Sequence, residues 1–209
     1  MEKEIGKLII VRHPESEWNK LGLWTGKTEV HLTEYGFQMA EKMGNTIKDL
    51  KIDHVFYSTQ IRAQETLDEV LKVLDLVGKI PEERSSALNE RDYGDYTGKN
   101  KWEIEKQVGE KKFNEIRRGW DCPIPNGETL KMVYARAVPY FLEIILPHLL
   151  AGENVLVVAH GNSIRALMKY IEQISDEKIS TLEMPFNTIL IYTLDPNGHS
   201  ENKEVHKVE

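Results

Sequence analysis

Two apolar stretches of this sequence each run directly into a histidine. "KLIIVRH" ends on Arg12 and His13, and "ENVLVVAHG" ends on His160 and Gly161. A third, "DHVFYS", ends at Ser58, with Arg62 four residues later. A lone histidine at a strand end is most often structural, but two of them, each closing a buried strand, point to a shared site. Histidine commonly ligates metals, yet no partner carboxylate or cysteine stands at helix-facing spacing, and arginines crowd the site. Cations repel a metal ion and attract an anion, so anion chemistry is expected and no metal. Arg12, Arg62, Lys101, Arg117 and Arg118 supply the cations, and guanidinium forks match phosphate and carboxylate oxygens bidentately. A neutral imidazole beside such charges has a lowered pKa and keeps a lone pair to attack phosphorus. The same cations stabilise charge spread over the oxygens of a transferring group. A carboxylate must then move a proton to or from the leaving oxygen. Glu90, in "LNERDYG", is the candidate; its other reading is an ion pair with Arg91 on a loop.

The elements that must position these residues follow from the pattern. Residues 7–13 read as a short buried strand, too brief and too β-branched for a helix. Thr33 caps a helix whose Met39, Ala40, Met43 and Ile47 fall at helical spacing. Residues 53–58 form a second strand, followed by a helix with Ile61, Thr66 or Leu67, Val70, Leu71 and Leu74 facing inward. The segment 88–128 is rich in Gly, Asn, Arg, Lys, Trp and Tyr, with one polar helical run near 101–117. A loop of that length is functional or disordered, and Tyr93, Tyr96, Trp102 and Trp120 argue against disorder. A long helix from Thr129 to about Leu150 is bent or interrupted at Pro139 and Pro147. "ENVLVVAHG", the helix "NSIRALMKYIEQI" and a last strand at 188–194 complete the pattern, and the tail 196–209 reads as polar and weakly ordered. Strands alternating with helices predict an α/β fold, a three-layer α/β/α sandwich with a mostly parallel central sheet. In such sheets ligands sit beyond the C-terminal strand ends, where both histidines fall.

Composition bounds the function classes. The 209 residues suit one domain spanning 1–209. A formal net charge of −7 argues against a general nucleic-acid binder, while a local cluster of cations still gathers small anions. Cys122 is the one cysteine, so no intramolecular disulfide forms, as expected in a reducing compartment. "MEKEIGKL" has no apolar core of a secretory signal, and no run approaches 18 apolar residues. A soluble, cytoplasmic protein is expected, as a monomer or small homo-oligomer, with no nucleic-acid or membrane partner.

With these residues in place, the chain resembles the histidine phosphatase superfamily, and more narrowly its cofactor-dependent phosphoglycerate mutases, over about residues 7 to 195. "VRHPESEWN" is similar to the superfamily's "RHG" strand end, which implies His13 as the phosphorylated nucleophile and Arg12 as part of its phosphate pocket. Asn19, Thr25 and Gly26, from "ESEWN" and "WTGK", match loop positions lining that pocket, and Arg62 in "STQIRAQET" matches a helix-start arginine. "AHGNSIRAL" resembles the second-histidine motif, implying phosphate binding by His160 with the backbone of Gly161 and Asn162 nearby. "LNERDYGDYTGKNKWEI" resembles a mutase segment that implies Glu90 in proton transfer and Tyr93 and Lys101 on the substrate. "IRRGWDCPIPNGETL" resembles another, in which the paired arginines, here Arg117 and Arg118, hold substrate. Simple phosphatases of the superfamily generally lack both segments.

The chain departs from the pattern at Pro14, where glycine is usual, at Lys27, where tryptophan is common, and at Asp92, where His or Tyr is usual. "EMPFNTILIY" also differs from the family's segment, and an insertion between "RRGWD" and "GETL" is missing. The resemblance implies interconversion of 3-phosphoglycerate and 2-phosphoglycerate in glycolysis and gluconeogenesis, through a phosphohistidine primed by 2,3-bisphosphoglycerate. The alternatives are a phosphatase that uses the same phosphohistidine with water as acceptor, and a catalytically silent phosphate-binding protein, suggested by Pro14.

Overall fold

The two stretches that run into histidines lie side by side in the sheet, Arg12 opposite Ala159 in parallel register. The computed structural model describes residues 4–209; the reading of the first residues as no secretory signal lies partly outside that range. In chain order the elements are β1 (Leu8–Arg12), α1 (Glu17–Lys20), α2 (Glu34–Ile47), β2 (His54–Ser58), α3 (Ile61–Val73), β3 (Glu82–Ser85), α4 (Lys101–Val108) and α5 (Glu110–Arg118). Then come α6 (Leu130–Tyr140), a π-helical turn (Phe141–Ile145), α7 (Leu146–Leu150), β4 (Val155–Ala159), α8 (Gly161–Ile171), β5 (Thr188–Leu194) and β6 (Ser200–Lys207). The sheet order is β3-β2-β4-β1-β5-β6. Pairings from β3 to β1 are parallel, and β5 and β6 are added antiparallel. The fold is the expected α/β sandwich, with a mixed sheet at its β5–β6 side.

Strand alternation divides the core into two layers. Leu8, Ile10, Val155, Val157 and Ala159 face α6, α7 and α8, whereas Ile9, Val11, Leu156 and Val158 face α2 and α3. The strands are apolar on both faces because helices cover both, which is why they read as unbroken hydrophobic runs. Thr33 caps α2, its Oγ1 accepting from Gly36 N at 3.0 Å. In α3 the buried face is Arg62, Ala63, Thr66, Leu67, Val70 and Leu71; Ile61 and Leu74, expected inward, are only half-buried.

The long helix is interrupted as expected, though by a widened π turn between Pro139 and Pro147 rather than by a break. Proline donates no N–H and crowds the carbonyl four residues back, and a local change of hydrogen-bond pitch absorbs both. The whole run Leu130–Leu150 is long and apolar enough on average to cross a membrane, which the search for an unbroken apolar run did not register. Here its apolar face, including Leu130, Val133, Ala137, Phe141, Ile145 and Leu149, packs into the core.

Three readings are corrected. The polar run near 101–117 is two helices, α4 and α5, separated at Gly109, whose φ is +80°. Residues 82–85 form an edge strand paired with β2, missed because "EERS" has no apolar face. The tail is not weakly ordered. Residues 200–207 form β6, paired with β5 and anchored by a Lys203–Glu172 bond of 2.8 Å. Its charges suit an exposed sheet edge and hide it from a search for hydrophobic alternation. Among the described residues, none after Phe186 lines the cleft discussed next.

Candidate active site

The C-terminal ends of β1 and β4, the start of α3, and the excursion 88–128 enclose a cleft of about 350 Å³. All but one of the expected site residues line it: Arg12, His13, Asn19, Thr25, Gly26, Arg62, Glu90, Tyr93, Lys101, Arg117, Arg118, Gly161 and Asn162. The exception is His160, which lies fully buried behind His13 with ring centroids 4.9 Å apart.

Each imidazole is held in one tautomer. His13 Nδ1–H donates to the Pro14 carbonyl at 2.7 Å, so the lone pair sits on Nε2. His160 Nε2–H donates to Ser58 Oγ at 2.7 Å, and the Ser58 hydroxyl in turn donates to Asn89 Oδ1 at 2.8 Å. Burial first, then the charges of Arg62 and Arg12, hold His13 well below the ordinary histidine pKa. His160 is lowered in the same way by burial, Arg62, His13 and Arg12. Both rings are therefore neutral at physiological pH. The Pro14 departure keeps the one group used here, the carbonyl, and gives up only an N–H.

The arginines are aimed by backbone carbonyls. Arg62 donates from Nη2 to Gly26 O and from Nη1 to Thr28 O, both at 3.0 Å. Gly26 has φ +54°, and a Cβ there would sit 3.1 Å from Tyr93 N, so a side chain at this position would be strained and glycine presents the carbonyl without that cost. Arg12 donates Nη1 to the Met184 carbonyl and sits over the Phe186 ring, its Cζ 3.7 Å from the centroid. Burial lowers both arginines to about 10, leaving them charged. Each retains a buried Nε–H with no protein acceptor among the described residues, as do Trp24 Nε1 and the Thr25 hydroxyl. Unsatisfied buried donors are costly unless a ligand accepts from them, so this cluster fits an anion with several oxygens.

Glu90 faces these donors. Its Oε1 accepts from Arg91 N (2.7 Å), Asn162 N (3.1 Å) and Asn162 Nδ2 (3.1 Å), and no described residue bonds Oε2, which is left for a reacting group. The expected alternative, an Arg91–Glu90 ion pair, does not form. The Arg91 guanidinium instead donates to the carbonyls of Ile116 (2.8 Å) and Arg117 (3.1 Å), capping the C-terminus of α5. Arg165 does similar work, donating to the carbonyls of Arg118 (2.9 Å), Ile179 (2.8 Å) and Leu182 (2.9 Å). These two arginines fix the helix end that carries Arg117 and Arg118 into the cleft. Arg91 adjoins Glu90, and Arg165 follows Asn162 by one helical turn, so their positions were visible; their bonding partners, far away in sequence, were not.

Lys101 opens α4, and burial, then Arg117 and Arg12, push its ammonium down to about 8. Segment 182–186 closes one wall, pinned by an Arg118–Glu183 ion pair. Two further departures from the resembled pattern, Lys27 and Asp92, meet each other. Lys27 Nζ lies 2.9 Å from Asp92 Oδ2 at the rim, an exposed pair of little net stability.

A parallel-strand sandwich that gathers cations and two neutral imidazoles at its strand ends defines an α/β protein built to bind and transfer phosphoryl groups. The sequence model of the Histidine phosphatase superfamily (branch 1) matches residues 8–205, and the chain belongs to that superfamily. It is similar to a 2,3-bisphosphoglycerate-dependent phosphoglycerate mutase of Nitrobacter winogradskyi, 46% identical over 198 residues, covering 94% of this chain and 95% of the relative. Among solved structures it resembles Bacillus stearothermophilus YhfR, with TM-score 0.81, 26% identity and coverage of 94% and 95%. A mycobacterial glucosyl-3-phosphoglycerate phosphatase gives TM-score 0.83 at 20% identity, covering 98% of this chain and 100% of that one, a likeness of fold alone.

Proposed function

We propose that this protein is a 2,3-bisphosphoglycerate-dependent phosphoglycerate mutase, interconverting 3-phosphoglycerate and 2-phosphoglycerate. The observation that carries the reading is His13, with a free Nε2 lone pair, standing among buried arginine donors that lack acceptors. The extent of similarity to mutases supports the particular reaction. The orphaned Nε–H groups of Arg12 and Arg62, with Lys101, Arg117 and Arg118 around them, fit a polyanionic primer. When bound, 2,3-bisphosphoglycerate supplies the phosphoryl group that charges His13.

The residues then divide the work. His13 Nε2 forms a bond to phosphorus as the bond to the leaving oxygen breaks, and Glu90 gives that oxygen its proton through Oε2. In the reverse direction Glu90 takes the proton of the substrate hydroxyl as that oxygen attacks phospho-His13. Pro14 holds the Nδ1 proton throughout, so positive charge formed on the ring stays shared with a carbonyl. Arg12 and Arg62 stabilise the transferring oxygens. His160, behind His13, supports the nucleophile and keeps cationic charge out of that position. Lys101, Arg117 and Arg118 hold the carboxylate and the remaining phosphate, and Asn19, Thr25, Gly161, Asn162 and Tyr93 complete the lining. The chemistry of this donor set calls for no metal.

One observation favours a second reading, hydrolysis of the phosphohistidine. The C-terminal residues are committed to β6 and do not cover the cleft. The test is to incubate the chain with 3-phosphoglycerate, with and without catalytic 2,3-bisphosphoglycerate and with a chelator present, and follow products by phosphorus NMR. Bisphosphate-dependent 2-phosphoglycerate with little inorganic phosphate is expected. Inorganic phosphate alone makes the protein a phosphatase, and no turnover with any phosphorylated donor leaves the silent binding protein.

A further inference from the structure

We propose that the chain carries a second site, a zinc-type divalent-metal site formed by His54, His148 and Glu153 at the end of the sheet away from the cleft. His54 opens β2, whose other end, Ser58, bonds His160 behind His13, so about 13 Å of strand separates the metal ligands from the residues that support the cleft. The three side chains each offer one ligand atom, and these atoms lie within 4.8 Å of one another. Zinc bonds imidazole nitrogen at about 2.0–2.1 Å and carboxylate oxygen at about 2.0–2.2 Å, placing tetrahedral ligand atoms about 3.3 Å apart. All three side chains are half-buried, so side-chain rotation is the adjustment the site calls for.

The backbone that bears these ligands is already joined. Glu153 N donates to the His148 carbonyl at 3.0 Å, closing the turn after α7. The Asn154 carbonyl accepts from Asp53 N at 2.9 Å and His54 N at 3.4 Å, tying that turn to the start of β2. Gly6 packs on the same turn so closely that a Cβ would lie 1.8 Å from the Glu153 carbonyl oxygen. The rings are also in place. His54 and His148 are 4.2 Å apart between centroids, His54 stacks on Phe56 at 4.5 Å, and His148 leans on Phe56 at 5.5 Å. Phe56 thus forms an apolar floor, and Tyr140 packs against its edge. His148 Nδ1–H donates to Glu153 Oε2 at 2.7 Å, and metal binding displaces that proton.

Two imidazoles and a carboxylate are the donor set of a borderline metal such as zinc, and three protein ligands leave a fourth position for water. An ion here would staple β2, α7 and the α7–β4 turn together, adding stability without touching the cleft.

The test is titration of the full chain with Zn²⁺ against a chromophoric chelator, with thermal unfolding measured alongside. One zinc per chain and a raised melting temperature are expected. His54→Gln and His148→Gln should each weaken binding at least about tenfold and abolish the thermal shift, while phosphoglycerate turnover is unchanged. Absence of stoichiometric zinc overturns the proposal. So does binding that survives both substitutions and is lost instead in His206→Gln, beside the exposed Glu204, or on filling the cleft with phosphate. Turnover in the two variants is read separately, so failure of the metal site and failure of the mutase reading are distinguishable.

Discussion

The Nδ1 atom of His13 lies 2.7 Å from the carbonyl oxygen of its own neighbour, Pro14. Because a carbonyl only accepts, this contact fixes the ring proton on Nδ1 and turns Nε2 into the free nucleophile. The residue that departs from the resembled pattern is therefore the one that sets the tautomer, through a group every amino acid has. Pro14→Gly is expected to change the rate of His13 phosphorylation by less than about twofold, while lowering stability by about 1 kcal/mol through a looser unfolded chain. Rapid-quench phosphorylation and urea unfolding measure the two. A tenfold change in phosphorylation rate would mean that the fixed φ of proline takes part in the chemistry.

Stability should depend on the two buried imidazoles. Both have folded pKa values depressed far below 6.5, so below that pH the unfolded chain binds protons that the folded chain refuses. Stability is then full above about pH 6.5 and falls as pH drops, by about 1.4 kcal/mol per pH unit for each ring. Urea unfolding between pH 7 and 5 should show this slope, and a His13→Gln, His160→Gln double variant should be flatter. Equal slopes in the two proteins would sink the idea.

Lys101, held down to about 8 by burial, Arg117 and Arg12, should lose its charge within the range of an ordinary pH profile. Because kcat/KM reports the free enzyme, it should decline above about pH 8, about tenfold per pH unit, with the effect carried by KM. Lys101→Arg keeps a cation at that position and should remove the decline. A profile that stays flat to pH 9.5 in the native chain would take Lys101 out of substrate binding.

Phe186 covers the Arg12 guanidinium at 3.7 Å and meets the His13 ring edge-on at 6.3 Å. With no described tail residue lining the cleft, this ring is expected to help shield a phosphoryl group on His13 from water. Phe186→Ala should raise inorganic phosphate release relative to 2-phosphoglycerate formation about tenfold, equivalent to about 1.4 kcal/mol of barrier. It should also shorten the phosphoenzyme lifetime, and Phe186→Leu should restore part of both. An unchanged lifetime in Phe186→Ala assigns the exclusion of water to another wall.

Much of this was written in local order. "KLIIVRH" and "ENVLVVAHG" are buried strands because β-branched and apolar residues without a polar face need helices on both sides. Their ends had to carry the chemistry because that is where a parallel sheet opens. The capping threonine at 33 and the prolines at 139 and 147 act within a few residues of themselves, so their effects were equally legible. Strands β3 and β6 were not, since an exposed edge is held by backbone pairing to a neighbour and "EERS" or "SENKEVHK" shows no hydrophobic period.

The sequence by itself determined that the strand ends carry Arg12, His13 and His160 and that Arg62 starts the following helix, since strand polarity and motif spacing are local properties. Trp24, Arg165 and residues 182–186 enter the cleft wall only through the fold. Tertiary structure alone decided what those residues do to one another. Only in the fold does Arg91 leave Glu90 to cap α5, Arg165 join three distant carbonyls, Lys27 meet Asp92, and His160 withdraw behind His13 onto Ser58. Hydrogen bonds and desolvation act through space, between groups as far as 172 positions apart in the chain, and no local pattern encodes that distance.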